Sequence, residues 1–121
     1  MGAKLDVKRA TVRAVDQDEV FALVAAAIDA DPARIIAALR HREASASTGV
    51  GDGVALPHAC IKGLDHPVLV DLTLEQPVSW DDGAEPVTRC LCALTPDDEV
   101  DPREAHHALM AEAARRVEDD K

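Results

Sequence analysis

The 121-residue chain predicts an α/β domain, and three observations carry that prediction. Two stretches near the start repeat apolar residues at helical spacing. Two later stretches are strand-like, one alternating with a period of two and one continuously apolar. A third helical stretch follows them.

The first helix begins at Asp16-Gln17-Asp18-Glu19, where Asp16 can cap and Glu19 lies three residues on, as in a capping box. Val20, Leu23, Val24, Ala27 and Ile28 supply its apolar face. Asp31-Pro32 opens the second helix with a capping carboxylate and a proline at the first helical position, and Ile35, Ile36 and Leu39 form its inner side. Thr11 to Val15 reads as a weak strand ahead of both. Between Ser45 and Gly53 the character changes: three of the six glycines, Gly49, Gly51 and Gly53, fall within a short loop. Val54-Ala55-Leu56 is a short strand expected to end at Pro57-His58, where the chain turns. Val68, Val70, Leu72 and Leu74 alternate with Leu69, Asp71 and Thr73, and Val87 to Leu94 is apolar enough for a central strand. Pro67, Pro77 and Pro86 each precede a valine, as where a strand restarts after a turn. Asp101-Pro102-Arg103-Glu104 starts the last helix, with Leu109, Met110, Ala113 and Val117 as its stripe.

Size and composition restrict what the chain does. Its length suits a single domain spanning residues 1–121, and 47% hydrophobic residues are enough to bury a core. Lys plus Arg number 13 against 23 Asp plus Glu, a net charge of −10, which disfavours a nucleic-acid partner. Phe21 and Trp80 are the whole aromatic complement, so base stacking is unavailable. No apolar run reaches the roughly 18 residues of a membrane span, and no secretory leader opens the chain, so no membrane insertion and a cytoplasmic location are expected. Three cysteines without a framework speak against a disulfide-stapled fold.

The candidate functional residues each admit two readings. The Gly49–Gly53 loop lacks dinucleotide and P-loop spacing; it is either a tight connection or a backbone cradle for an anion. His58 is either a structural histidine or an imidazole nucleophile at a strand end. His106 shares the apolar stripe of the last helix, whereas His107 is about 100° away; His106 is either a core histidine or a second imidazole in a site. Arg42-Glu43 is either a solvated helix end or an arginine feeding an anion cradle. Cys90 and Cys92 share a strand face. They are either small apolar packing or, with His58 or His106 nearby, part of a zinc site; Cys60 is the third cysteine.

Taken as one string, Arg42 to Ala59 resembles the signature of the fructose/mannitol-type enzyme IIA domains of the bacterial sugar phosphotransferase system, a group that includes the nitrogen-regulatory IIA proteins. The family pattern is approximately R-E-x(3)-S-T-G-I-G-x-G-I-A-I-P-H-G/A. Arg42, Glu43, Ser47, Thr48, Gly49, Gly51, Gly53, Ala55, Pro57, His58 and Ala59 match it, with Val50, Val54 and Leu56 in place of isoleucine. Pro77-Val78-x-Trp80, Pro86-Val87 and Leu94-Thr95-Pro96 resemble later segments of the family, and the likeness covers about residues 5 to 118. Three features depart from the pattern. The chain stops at Lys121, where members usually continue by another helical segment, so the domain is expected to be shortened at its C-terminus. Cys60 stands where lysine is common, and Asp97 to Glu104 is unusually acidic.

The resemblance implies a mixed β-sheet flanked by helices. It implies a phosphotransferase in which His58 accepts a phosphoryl group from the phosphohistidine of HPr and passes it to a IIB domain. Arg42 is then the arginine that steadies the phosphate, and His106 the second histidine. Thr48, Gly49, Gly51 and Gly53 of the loop are candidate phosphate-binding positions. No metal or cofactor is needed, because the donor arrives activated. A regulatory module acting through a protein partner is the alternative, and a Cys/His metal domain a more remote one.

Overall fold

The computed structural model describes residues 6–45, 47–80, 86–96 and 102–119, with the side chains of 102–107 and 118–119 excluded. A mixed sheet lies between helices on both faces. In chain order the elements are β1 (Asp6–Val12), α1 (Gln17–Ala26), α2 (Pro32–Ser45), β2 (Gly49–Gly51), β3 (Val54–Ala55), β4 (His58–Ile61), β5 (Val68–Val78), β6 (Val87–Pro96) and α3 (Pro102–Asp119). The strands lie in the order β1-β5-β6-β3-β2, and β4 pairs with β6 beyond β3. β1 is parallel to β5, β5 antiparallel to β6, and both β3 and β4 parallel to β6.

The helix starts are built as their sequences dictate. Asp16 Oδ1 accepts the Glu19 amide at 2.8 Å, and Glu19 Oε1 reaches back to the amide of Val15, one residue before the cap. Asp31 Oδ1 accepts the Ala33 amide at 3.1 Å ahead of α2. The first strand differs from expectation: it spans Asp6–Val12, not Thr11 to Val15, and Val15 is exposed. β1 is an edge strand whose middle residues face solvent, so Lys8 and Arg9 break the apolar alternation that would reveal it. A fourth strand, β4, begins at His58, where a turn was expected; Pro57 O accepts the Ala93 amide at 2.9 Å and keeps the chain alongside β6.

Two cores lie on opposite faces of the sheet. Val68, Val70, Leu72, Cys90, Cys92 and Leu94 pack with Phe21, Val24, Ile35 and Leu39 of α1 and α2. Leu69, Leu91 and Ala93 pack with Leu109 and Ala113 of α3. Both faces of β5 are therefore covered around Leu69 and Asp71, although the period-two pattern suggests one wet face. Asp71 is 2% exposed and takes a two-pronged contact from Arg89, Nε to Oδ1 at 3.1 Å and Nη2 to Oδ2 at 2.8 Å. Arg116 Nη1 adds a contact at 3.4 Å. Arg89 Nη1 also donates to the Arg116 carbonyl, tying the end of α3 to the start of β6, so α3 runs antiparallel to β6.

Candidate active site

α2 and β4 meet at His58. Arg42, in the last turn of α2, donates its Nε–H to His58 Nε2 at 3.1 Å. Nε2 therefore accepts, which leaves the proton on Nδ1; Nδ1–H donates to the carbonyl of Leu56 at 3.2 Å. The imidazole is half-buried and fixed in one tautomer, with its lone pair on the nitrogen that faces the guanidinium. His58 stands in register with Ala93 on the α3 side of the sheet, and Ala59 packs into the opposite core.

The glycine loop is a β2–β3 hairpin whose turn runs through three residues with positive φ: Gly51 at 92°, Asp52 at 56° and Gly53 at 77°. Gly53 is required on two counts. Its φ is left-handed, and a Cβ there would stand 2.9 Å from Thr88 Oγ1. The close approach lets Gly53 O accept the amides of Thr88 at 2.7 Å and Arg89 at 3.0 Å, fastening the hairpin to β6.

Thr48 is buried at 4% exposure, and its donors are committed within the protein. Its amide donates to Glu43 Oε2 at 2.9 Å and its hydroxyl to Glu43 Oε1 at 2.5 Å. The Thr48 hydroxyl in turn accepts Trp80 Nε1–H at 3.2 Å. Of the four expected phosphate-binding positions, Thr48 is thus engaged by Glu43, and the Gly49 amide donates to Ser47 Oγ at 3.1 Å. Gly51 is exposed and pairs with Val54 in the hairpin, and a Cβ built there would meet open space, so its outer face is the most open of the four. His106 lies in the first turns of α3, but its side chain and that of His107 fall outside the described residues.

The cysteines part company. Cys90 and Cys92 point into the α1/α2 core, away from the face that carries His58, and burial pushes both thiols well above their ordinary range. Cys60 is exposed, with Sγ 3.3 Å from Thr95 Oγ1. Among the described residues no three His, Cys, Asp or Glu side chains are grouped to hold a metal. No helix among them is long and apolar enough to cross a membrane.

Glu43 and Trp80 acquire roles that sequence reading did not assign. The signal available was spacing: a carboxylate five residues before a threonine at a helix end is within reach once the chain reverses. Asp71 was read as one of the polar positions of an alternating strand, and its burial depends on α3.

The mixed sheet flanked by helices is the fold of an enzyme IIA domain. The family model "Phosphoenolpyruvate-dependent sugar phosphotransferase system, EIIA 2" matches residues 5–121, and the chain belongs to that family. A "Nitrogen regulatory protein" of Pseudomonas aeruginosa is 35% identical over 79 residues, which cover 64% of this chain and 49% of that protein. The chain thus matches about half the length of that relative. The crystal structure of nitrogen regulatory protein IIA-Ntr from Neisseria meningitidis superposes with a TM-score of 0.76, covering 94% of this chain and 81% of that one, at 20% identity. That likeness establishes the shared fold.

Proposed function

We propose that this chain is a phosphoryl carrier that accepts a phosphoryl group on Nε2 of His58 from the phosphohistidine of HPr and hands it to a protein acceptor. The observation that supports this most directly is the fixed tautomer, with Nδ1–H held by Leu56 O and the Nε2 lone pair facing Arg42. In the transfer the Nε2 lone pair forms the new P–N bond while the donor's P–N bond breaks, and that electron pair returns to the donor imidazole. Arg42 gives up its bond to Nε2 as the phosphorus arrives, and its guanidinium turns to the phosphoryl oxygens, where charge is spread in the loose transition state. Every element needed is positional and electrostatic, as this chemistry requires.

His106 is proposed as a second imidazole beside the phosphoryl group. Its place on the apolar stripe of α3 supports this, as does the antiparallel run of α3 over β6, which carries the first turns of α3 toward the β4 end.

The acceptor has two readings. A IIB domain is the first. The second is a regulatory partner whose binding depends on the state of His58; the named relatives, both nitrogen regulatory proteins, favour it. The experiment supplies phosphoenolpyruvate labelled on phosphorus with enzyme I and HPr. One acid-labile, alkali-stable phosphate per chain is expected, lost in His58→Ala. Equal labelling of His58→Ala overturns the assignment. Chasing the label onto an added IIB domain separates the two acceptors.

A further inference from the structure

We infer that Glu43 is a positioning residue for phosphoryl transfer, acting through Arg42 by way of a Glu43–Thr48–Trp80 clamp. This rests on the reading of His58 as phosphoryl acceptor. Arg42 and Glu43 are consecutive on the last turn of α2 and so point about 100° apart. One reaches His58 on β4; the other grips both donors of Thr48 from a different side of the helix end. A helix end held at one point can still rotate or fray, but one held at two directions can do neither. The second grip therefore sets the rotational phase at which the Arg42 guanidinium meets Nε2.

The clamp is anchored in the core. Trp80 is 7% exposed, donates to the Thr48 hydroxyl, and packs edge-on to Phe21 with ring centres 5.7 Å apart and planes at 89°. Thr48 is also tied by its carbonyl, which accepts the Leu56 amide at 2.9 Å. Leu56 in turn offers its own carbonyl to His58 Nδ1. The two sides of the acceptor imidazole thus trace back to one residue: Nε2 through Arg42 and Glu43, Nδ1 through Leu56, both to Thr48. A carboxylate suits this task because it accepts from the amide and the hydroxyl at once, one oxygen each. A glutamine offers only one oxygen: with that oxygen on the Thr48 amide, its NH₂ faces the Thr48 hydroxyl, whose own hydrogen then loses the carboxylate as acceptor. Misplacing a reacting group by about 1 Å costs up to about a hundredfold in rate.

The test is a double-variant cycle on the single-turnover transfer from phospho-HPr, with Glu43→Gln, Arg42→Gln and the pair. Glu43→Gln is expected to slow transfer by roughly ten- to a hundredfold while one phosphate per chain is still incorporated at the end point. In the Arg42→Gln background the same change is expected to cost less than about twofold, because the group it positions is gone. Nitrogen NMR of the His58 ring is expected to show a mixture of tautomers in Glu43→Gln where the parent shows Nδ1–H alone. Emission of Trp80, the single tryptophan, reports whether the fold and the clamp are intact. If Glu43→Gln does not fold, the same cycle on Thr48→Val decides, with Thr48→Ser expected to retain more of the rate. A parental rate for both Glu43→Gln and Thr48→Val overturns the inference, as do losses that multiply with that of Arg42→Gln. A parent that takes up no label overturns the carrier reading instead.

Discussion

Replacing Arg42 with glutamine tests the proposed transfer most directly, since the structure sets its scale. The side chain keeps a polar tip but loses the planar guanidinium and the Nε–H that lies 3.1 Å from His58 Nε2. A hydrogen bond to a charged partner contributes about 1.5–3 kcal/mol. Spent in the transition state, that is roughly ten- to a hundredfold in rate. The fold should not suffer, because Arg42 is half-buried at a helix end and α2 keeps its core contacts through Ile35 and Leu39. The assay is rapid-quench transfer from labelled phospho-HPr, read as a single-turnover rate, alongside thermal unfolding. Arg42→Lys should recover part of the rate, since it restores the charge without the fork. An unchanged single-turnover rate for Arg42→Gln would refute the reasoning. So would a slowed rate that tracks a lowered melting temperature, which would make Arg42 a structural residue.

Three further outcomes follow from the geometry. Asp71→Asn is expected to destabilise the domain by about 3–5 kcal/mol, because Arg89, whose side chain is 12% exposed, loses its carboxylate; denaturant unfolding checks it, and a loss below about 1 kcal/mol would mean the site is hydrated. Gly53→Ala should cost at least about 1–2 kcal/mol from its φ of 77° alone, with a further penalty from the 2.9 Å contact to Thr88 Oγ1; a stability equal to the parent would contradict the hairpin geometry. Of the three thiols, Cys60 should react with a disulfide reagent in the native protein, while Cys90 and Cys92 should react only on unfolding; a count of reactive thiols against denaturant settles it.

Local rules were enough for much of this molecule. The caps at Asp16 and Asp31, the helical stripes and the long strands after Pro67 and Pro86 were legible because each is encoded within a few residues of itself. The glycines of the loop announced positive φ in the same way, since only a residue without Cβ adopts it freely. What sequence could not supply was set by contacts between distant segments. β1 shows no alternation because an edge strand buries little, and β5 hides the covering of its second face because α3, whose Arg116 meets Asp71 across 45 residues of sequence, comes only after β6. The carboxylate of Asp71 is buried by its arginines, Arg89 and Arg116, a partnership that follows from sheet register and helix direction. Glu43 and Thr48 form a local pair, yet that pair becomes a clamp only once Trp80, thirty-two residues on, donates to it. The sequence by itself thus determined the local elements and which residues are candidates for the chemistry, while only the tertiary structure decided what holds them, because positioning is a property of packed, long-range contacts.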